Sequence, residues 1–338
     1  MPATSFTSPD AQLPTAANDP VHRDVTVVIA AWRAAGTIGR AVASALTEPE
    51  TAEVVVVDDA SGDDGATIRA AKAADDGSGR LKVFAMPHNG GPAAARNAAI
   101  RASKAAWIAI LDSDDFMEPG RLGKLLTLAD QGYDLLADDL LQVPEGRPVS
   151  EGKPLWFRED PTPVDVSFVH FIDSNLTKAS HKRRELGFLK PLLRRAFLET
   201  HGLAYEEGMR LGEDYDLYAR ALSLGARMRL IPWAGYVSVM RRNSLSLSHG
   251  RAALAQYAAS DDRLLASGRL SAQGAKLVKQ HRFTTQTRIV WIDVSARLKT
   301  LNLPGAAWAV FKDPRQAPYV MRELGKIVAR RFGGDRKV

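Results

Sequence analysis

The hexapeptide Leu-Asp-Ser-Asp-Asp-Phe at 111–116 sets three carboxylates, Asp112, Asp114 and Asp115, directly behind the apolar run 107–110. A second acidic pair, Asp58-Asp59, ends another apolar run, 54–57. Carboxylates this close repel one another, so such a group persists only where a cation, hydrogen-bond donors or protonation relieves it. Short acids after strands also cap turns, but two such clusters together favour a site. The chain has no cysteine and neither cluster has a histidine beside it. A metal held there would be a hard divalent ion, Mg²⁺ or Mn²⁺. At 88–100, Gly90-Gly91-Pro92 runs into a helix pattern carrying Arg96 and Asn97. Such a turn offers backbone N–H groups to an anion, and arginine suits phosphate; it is also an ordinary helix start. Glu213-Asp214 opens a later helix pattern, where acids complement the helix dipole.

The elements that must position these residues are legible from periodicity. Runs 25–31, 53–59, 81–86 and 107–111 are β-branched or apolar in the manner of buried parallel strands. Helical patterns at 37–46 and 91–105 alternate with them, and Pro119 suits the first turn of a helix over 119–130. The fold class is therefore α/β, a doubly wound, mainly parallel sheet. Both acidic clusters then lie at the carboxyl ends of strands, where such sheets bind ligands. Further strands are expected at 133–143 and 228–240, a flap at 144–163, helices at 191–201 and 212–224, and mostly helix from Ser248 onward.

The 338 residues are 45% hydrophobic and carry a net charge of +6. Residues 1–23 read as a disordered lead-in without a secretion-signal pattern, and no apolar run nears the roughly 20 residues that span a bilayer. Lack of cysteine fits a reducing compartment, so the expected location is cytoplasmic. Nucleic-acid binding is not supported, since no motif for it occurs and the charge is modest.

With these pieces in order, the sequence resembles the family 2 glycosyltransferases, inverting enzymes of GT-A fold. The resemblance is carried by VTVVIAAW, EVVVVDDASGDD, NGGPAAARNAAI, AWIAILDSDDFMEPGRL and GEDYDLYARAL, collinear over 24–245. The segments ELGFLKPLLRRAFLETHGLAYEE and RRNSLSLSH are similar to the succinoglycan type of exopolysaccharide glycosyltransferase. Residues 24–118 would form a donor-nucleotide half, 119–245 an acceptor half and 246–338 a basic helical extension.

The resemblance implies a nucleotide-diphosphate sugar donor such as UDP-glucose and a lipid-linked glycan acceptor. It implies that Ala30 and Trp32 line the nucleoside pocket, that Asp59 and Arg96 contact the base, and that Asp112, Asp114 and Asp115 form the DxD-type cluster. Asp112 would hold ribose or sugar, Asp114 and Asp115 the Mg²⁺ or Mn²⁺ ion. Asp214, beside Glu213, matches the general base. Inverting transfer needs a carboxylate to take the acceptor proton and a metal to neutralise the leaving diphosphate, hence two acidic sites. The family usually has Pro, Tyr and Asn where this chain has Ala30, Trp32 and Arg33. No QxxRW-like motif of processive synthases occurs, so a single addition is expected. Arg241, Arg242 and His249 could grip the diphosphate.

Residues 319–338 hold six Lys/Arg against Glu323 and Asp335, with Met321, Leu324, Ile327, Val328 and Phe332 near helical spacing. Such a helix either lies on an anionic membrane surface, at the inner face of the cell membrane, or packs on the protein. The competing readings are a sugar-phosphate nucleotidyltransferase and a non-catalytic membrane-associated scaffold. The first wants a Gly-rich basic loop after the first strand, where this chain has AAWRAAGTIG; the second predicts loss of acids that are all present.

Overall fold

The computed structural model describes residues 24–158, 160–176, 185–241 and 250–332, with 327–332 as backbone alone. The expected lead-in, Arg242, His249 and the end of the basic tail lie outside those residues.

The first half follows the sequence pattern closely. Strands β1 (Val25–Ala31), β2 (Thr51–Asp58), β3 (Leu81–Ala85) and β4 (Trp107–Ile110) alternate with helices α1 (Ile38–Thr47), α2 (Ala66–Ala73) and α3 (Pro92–Arg101). Helix α1 buries Ile38, Ala41, Val42, Ala45 and Leu46, the i, i+3, i+4, i+7 spacing of one helical face. Strand β4 is buried along its whole length, so the acids that follow it are fixed to a rigid support.

After β4 come β5 (Phe116–Met117), α4 (Arg121–Leu126), β6 (Leu135–Asp138), β7 (Leu141–Pro144), β8 (Lys153–Pro154), β9 (Val164–Val166) and α5 (Phe168–Ser174). The chain continues through β10 (Leu192–Arg194), α6 (Arg195–Thr200), α7 (Glu213–Ser223), β11 (Met228–Ile231) and β12 (Tyr236–Met240). The main sheet has eight strands in the order β3-β2-β1-β4-β10-β6-β11-β9. It is mixed, because β10 runs antiparallel to both β4 and β6, and β9 antiparallel to β11. A four-stranded sheet, β5-β12-β7-β8, stands beside it.

Several expected elements are shorter or divided. Pro119 precedes α4 rather than opening it, since Gly120 intervenes in a left-handed conformation at φ 86°. The N-terminus of α4 is capped from outside, by Glu48 accepting from Gly120 N at 2.6 Å and Leu122 N at 2.7 Å. The run 133–143 breaks at Asp139-Leu140 into β6 and β7, which belong to different sheets. The run 228–240 breaks likewise at 232–235 into β11 and β12, and 191–201 begins as strand before becoming helix.

The C-terminal region consists of α8 (Arg251–Ala266), α9 (Ala272–Lys299), α10 (Leu303–Phe311) and α11 (Ala317–Phe332). Leu264 and Val278 join the main core. Val290, Val294, Ala306, Ala309 and Val320 form a separate small core further along α9. Among the described residues no helix is long and apolar enough to cross a membrane.

Candidate active site

One cavity of about 1090 Å³ opens at the carboxyl ends of β1, β2 and β4 and reaches α7 and the C-terminal helices. Ala30, Trp32, Asp59, Arg96, Asp112, Asp114, Asp115, Glu213 and Asp214 all line it. Residues far apart in sequence are thus brought to one space.

At the end of the cavity beside β1, Trp32 is 46% exposed. The neighbouring Arg33 guanidinium lies 4.9 Å from that ring. Asp59 is buried and its two oxygens accept from Gly90 N at 2.7 Å and Gly91 N at 2.8 Å. The glycine-loop donors expected to greet an outside anion therefore already serve this carboxylate. A Cβ at Gly90 would lie 2.8 Å from Ala94 Cβ, so the loop can approach the helix only as glycine.

Arg96, expected at the base, is buried with its guanidinium among three carboxylates. Its Nη2 donates to Asp112 Oδ1 at 2.7 Å, and Nη1 to both Glu213 Oε1 and Asp214 Oδ1 at 2.9 Å. Lys190, which follows the turn before β10, makes a parallel bridge: Nζ donates to Asp214 Oδ2 at 2.6 Å and lies 3.0 Å from Asp112 Oδ2. Tyr205 adds a hydroxyl donor to Asp214 Oδ1 at 3.1 Å. Two buried cations thus tie the cluster after β4 to the acids at the start of α7.

The three acids after β4 have different surroundings. Burial alone would raise the Asp112 carboxyl, but the Lys190 and Arg96 charges hold it down to about 2. Asp115 is buried away from those cations. Burial and the charges of Asp112 and Asp114 push it up to about 8, although it accepts from Tyr236 OH at 2.9 Å and Val239 N at 2.8 Å. Asp114 is raised by burial and by Asp112. It is the most accessible of the three, with a 3.7 Å ion pair to Arg241 Nη1. Glu213 is raised by burial despite Arg96.

Among the described residues no group of three or more acidic or histidine side chains is placed to hold a metal ion. The chemistry of the donors nevertheless suits a hard cation, since Asp114 and Asp115 offer neighbouring carboxylate oxygens at the cavity. Asp112, with one cation on each oxygen, is the least suited of the three.

The far wall comes from α7, α8 and α9. Gly212, at φ 75°, caps α7, and a Cβ there would lie 2.6 Å from the Tyr257 ring. Tyr215 OH donates to Asp261 Oδ1 at 2.9 Å, and the His281 ring Nδ1 lies 2.7 Å from Asp261 Oδ2. Tyr257, His281, Thr284, Thr285 and Arg288 face the cavity. Sequence reasoning assigned no role to these or to Lys190 and Tyr205. A lysine in a largely apolar segment, ELGFLKPLL, was the available signal.

The family described as "Glycosyl transferase family 2" matches residues 26–196. The chain is 50% identical over 258 residues to "Succinoglycan biosynthesis protein ExoU" of Rhizobium meliloti (strain 1021), covering 76% of this chain and 74% of that protein. It is 36% identical over 319 residues to "Succinoglycan biosynthesis protein ExoO" of the same organism, covering 91% and 86%. Among solved structures, S. aureus TarS 1–349 in complex with UDP-GlcNAc superposes with a TM-score of 0.60 at 16% identity, covering 86% of this chain and 91% of that one. That likeness concerns the fold alone.

Proposed function

This chain belongs to glycosyl transferase family 2, and we propose that it moves a hexose, with inversion, from a uridine-diphosphate sugar such as UDP-glucose to a hydroxyl of a lipid-linked oligosaccharide in bacterial exopolysaccharide synthesis. The observation that carries the reading is the Arg96 and Lys190 bridge, which holds a diphosphate-side acid, Asp112, and the acids of α7 on one cavity. The names of the two succinoglycan relatives support the exopolysaccharide role, and the UDP-GlcNAc complex of TarS supports a uridine donor.

In this mechanism the base stacks on Trp32 near Ala30, with Asp59 fixing the loop that borders it. Asp112 orients ribose or sugar while its own charge is balanced by Arg96 and Lys190. Asp114 and Asp115 would hold Mg²⁺ or Mn²⁺, which supplies positive charge to the leaving diphosphate. Arg241, next to Asp114, lies where a phosphate could be gripped, and Arg242 follows it in sequence. Asp214 receives the acceptor proton as the hydroxyl oxygen attacks the anomeric carbon and the C–O bond to diphosphate breaks. Its three donors, Arg96, Lys190 and Tyr205, hold it in place; Glu213 stands beside it as a second carboxylate on the same arginine.

The test is a thermal-shift screen of nucleotide sugars with and without Mn²⁺. A donor at 100 times its Kd stabilises the fold by about 2.7 kcal/mol. We expect a uridine donor to give the largest metal-dependent shift, and Asp114→Ala to lose the metal-dependent part. No shift with any sugar nucleotide would contradict the reading.

A further inference from the structure

Helix α10 is turned inside out. Its small residues Ala306 and Ala309 face the protein, while Leu303 is 63%, Trp308 63% and Phe311 71% exposed, with Leu301 just before it at 84%. Positions 303, 307 and 311 and positions 304 and 308 fall at i, i+4 spacing, so Leu303, Pro304, Ala307, Trp308 and Phe311 make one continuous apolar stripe, all of it exposed. Scattered surface hydrophobics need no explanation, but a contiguous set of this size marks an interaction surface.

We propose that this face of α10 beds into the headgroup and upper acyl region of an anionic lipid bilayer. Three features point to lipid. The stripe is bracketed by Lys299 and Lys312, both exposed, whose long stems can lie along apolar surface while their ammonium groups reach phosphate. Over 297–326 the basic residues Arg297, Lys299, Lys312, Arg315, Arg322 and Lys326 exceed the acids, Asp313 and Glu323, and both acids are already paired, with Arg315 at 2.8 Å and Lys326 at 2.7 Å. Trp, Phe and Leu on one side with lysine and arginine around them is the composition of a helix lying in a membrane interface. A second copy of the chain is the poorer occupant, because pairing two such faces would bring two rims of the same charge together.

The contact surface is thus α10 and its flanking lysines, whereas the sequence offered residues 319–338 as either a membrane-surface helix or one packed on the protein. Of that tail, Val320 and Leu324 on α11 pack into the small core with α9 and α10. Helix α9 connects the surface to the cavity: Thr285 lines the cavity and Lys299 borders the stripe, roughly 21 Å apart along the helix axis. An enzyme seated this way would hold its cavity at a fixed height above the bilayer. The inference goes beyond the transfer chemistry and stands whichever sugar is moved.

Flotation of the full chain with phosphatidylcholine vesicles, with and without phosphatidylglycerol, tests it. The protein should float with the anionic vesicles, and Trp308→Ser combined with Phe311→Ser should cut that binding by about tenfold or more, since affinity scales with apolar area inserted. Melting and sugar-nucleotide binding of the variant should stay as in the unmutated chain, because both side chains are exposed and outside the cavity. Brominated phosphatidylglycerol should also quench part of the tryptophan fluorescence of the unmutated protein. Flotation unchanged by the double substitution, or no flotation and no quenching of the unmutated protein, would overturn the proposal. So would a dimer, in sedimentation equilibrium, that the double substitution dissociates.

Discussion

Lys190 and Arg96 each touch both acidic clusters, and that shared contact links the acids after β4 to those at the start of α7. Burial of Lys190 is offset by Asp112 and Asp214, which raise its ammonium above the ordinary lysine range. Removing one partner from such a buried ionic group leaves the others uncompensated. Lys190→Met should therefore destabilise the fold by about 3 kcal/mol, measured by urea denaturation, and should weaken sugar-nucleotide binding as Asp112 loses its position. A loss within surface-substitution range, about 0.5 kcal/mol, would show that Arg96 alone carries the bridge. Arg96 was legible from sequence as a cation beside a glycine loop. Its partners were not, because Glu213 and Asp214 lie 117 and 118 positions away. The apolar neighbours of Lys190 in ELGFLKPLL marked it as a buried lysine, but nothing local named its partners.

At the scale of elements, Asp138 fixes where β11 gives way to β12. This fully buried carboxylate accepts from Arg121 Nε at 3.0 Å and Nη2 at 2.7 Å, and its other oxygen accepts from the backbone N–H of Ala234, Gly235 and Tyr236 at 3.1 Å each. It pins the turn between β11 and β12 where the chain leaves the main sheet, and so sets Tyr236, whose hydroxyl donates to Asp115. Gly235 is required in that turn: a Cβ would lie 2.8 Å from Arg121 Cβ and 2.9 Å from Glu118 O. Asp138→Asn strips the charge from a pair in which both side chains are wholly buried. The expected loss is about 3–5 kcal/mol in chemical denaturation, together with weaker metal-dependent donor binding. A variant as stable as the unmutated chain would contradict this account of the turn. Apolar runs marked where strands would be. They did not mark where a strand changes sheet, because that depends on an acid whose partners come from α4 and from residues 234–236. The first half was more legible because each β-α unit there is short and its strands and helices keep a plain period.

The whole molecule divides its labour along the chain. The strands up to β4 present Ala30, Trp32, Asp59 and the acids of 112–115 to one end of the cavity, while α7, braced by Tyr257, Asp261 and His281 of the C-terminal helices, presents Glu213 and Asp214. Sequence periodicity registered those helices as a basic extension. It gave no sign that they form a cavity wall, since a tyrosine, an aspartate and a histidine spaced over 257–281 carry no recognisable motif. Division of this kind makes binding and transfer separable. The most direct test is Asp214→Asn, followed by transfer from UDP-glucose to the lipid-linked acceptor and by titration with UDP. The account predicts that transfer falls by about 10²–10⁴, the usual contribution of a general base, while UDP affinity stays nearly unchanged and the unmutated enzyme yields the inverted anomer. Full transfer by Asp214→Asn, or a product of retained configuration, would contradict it.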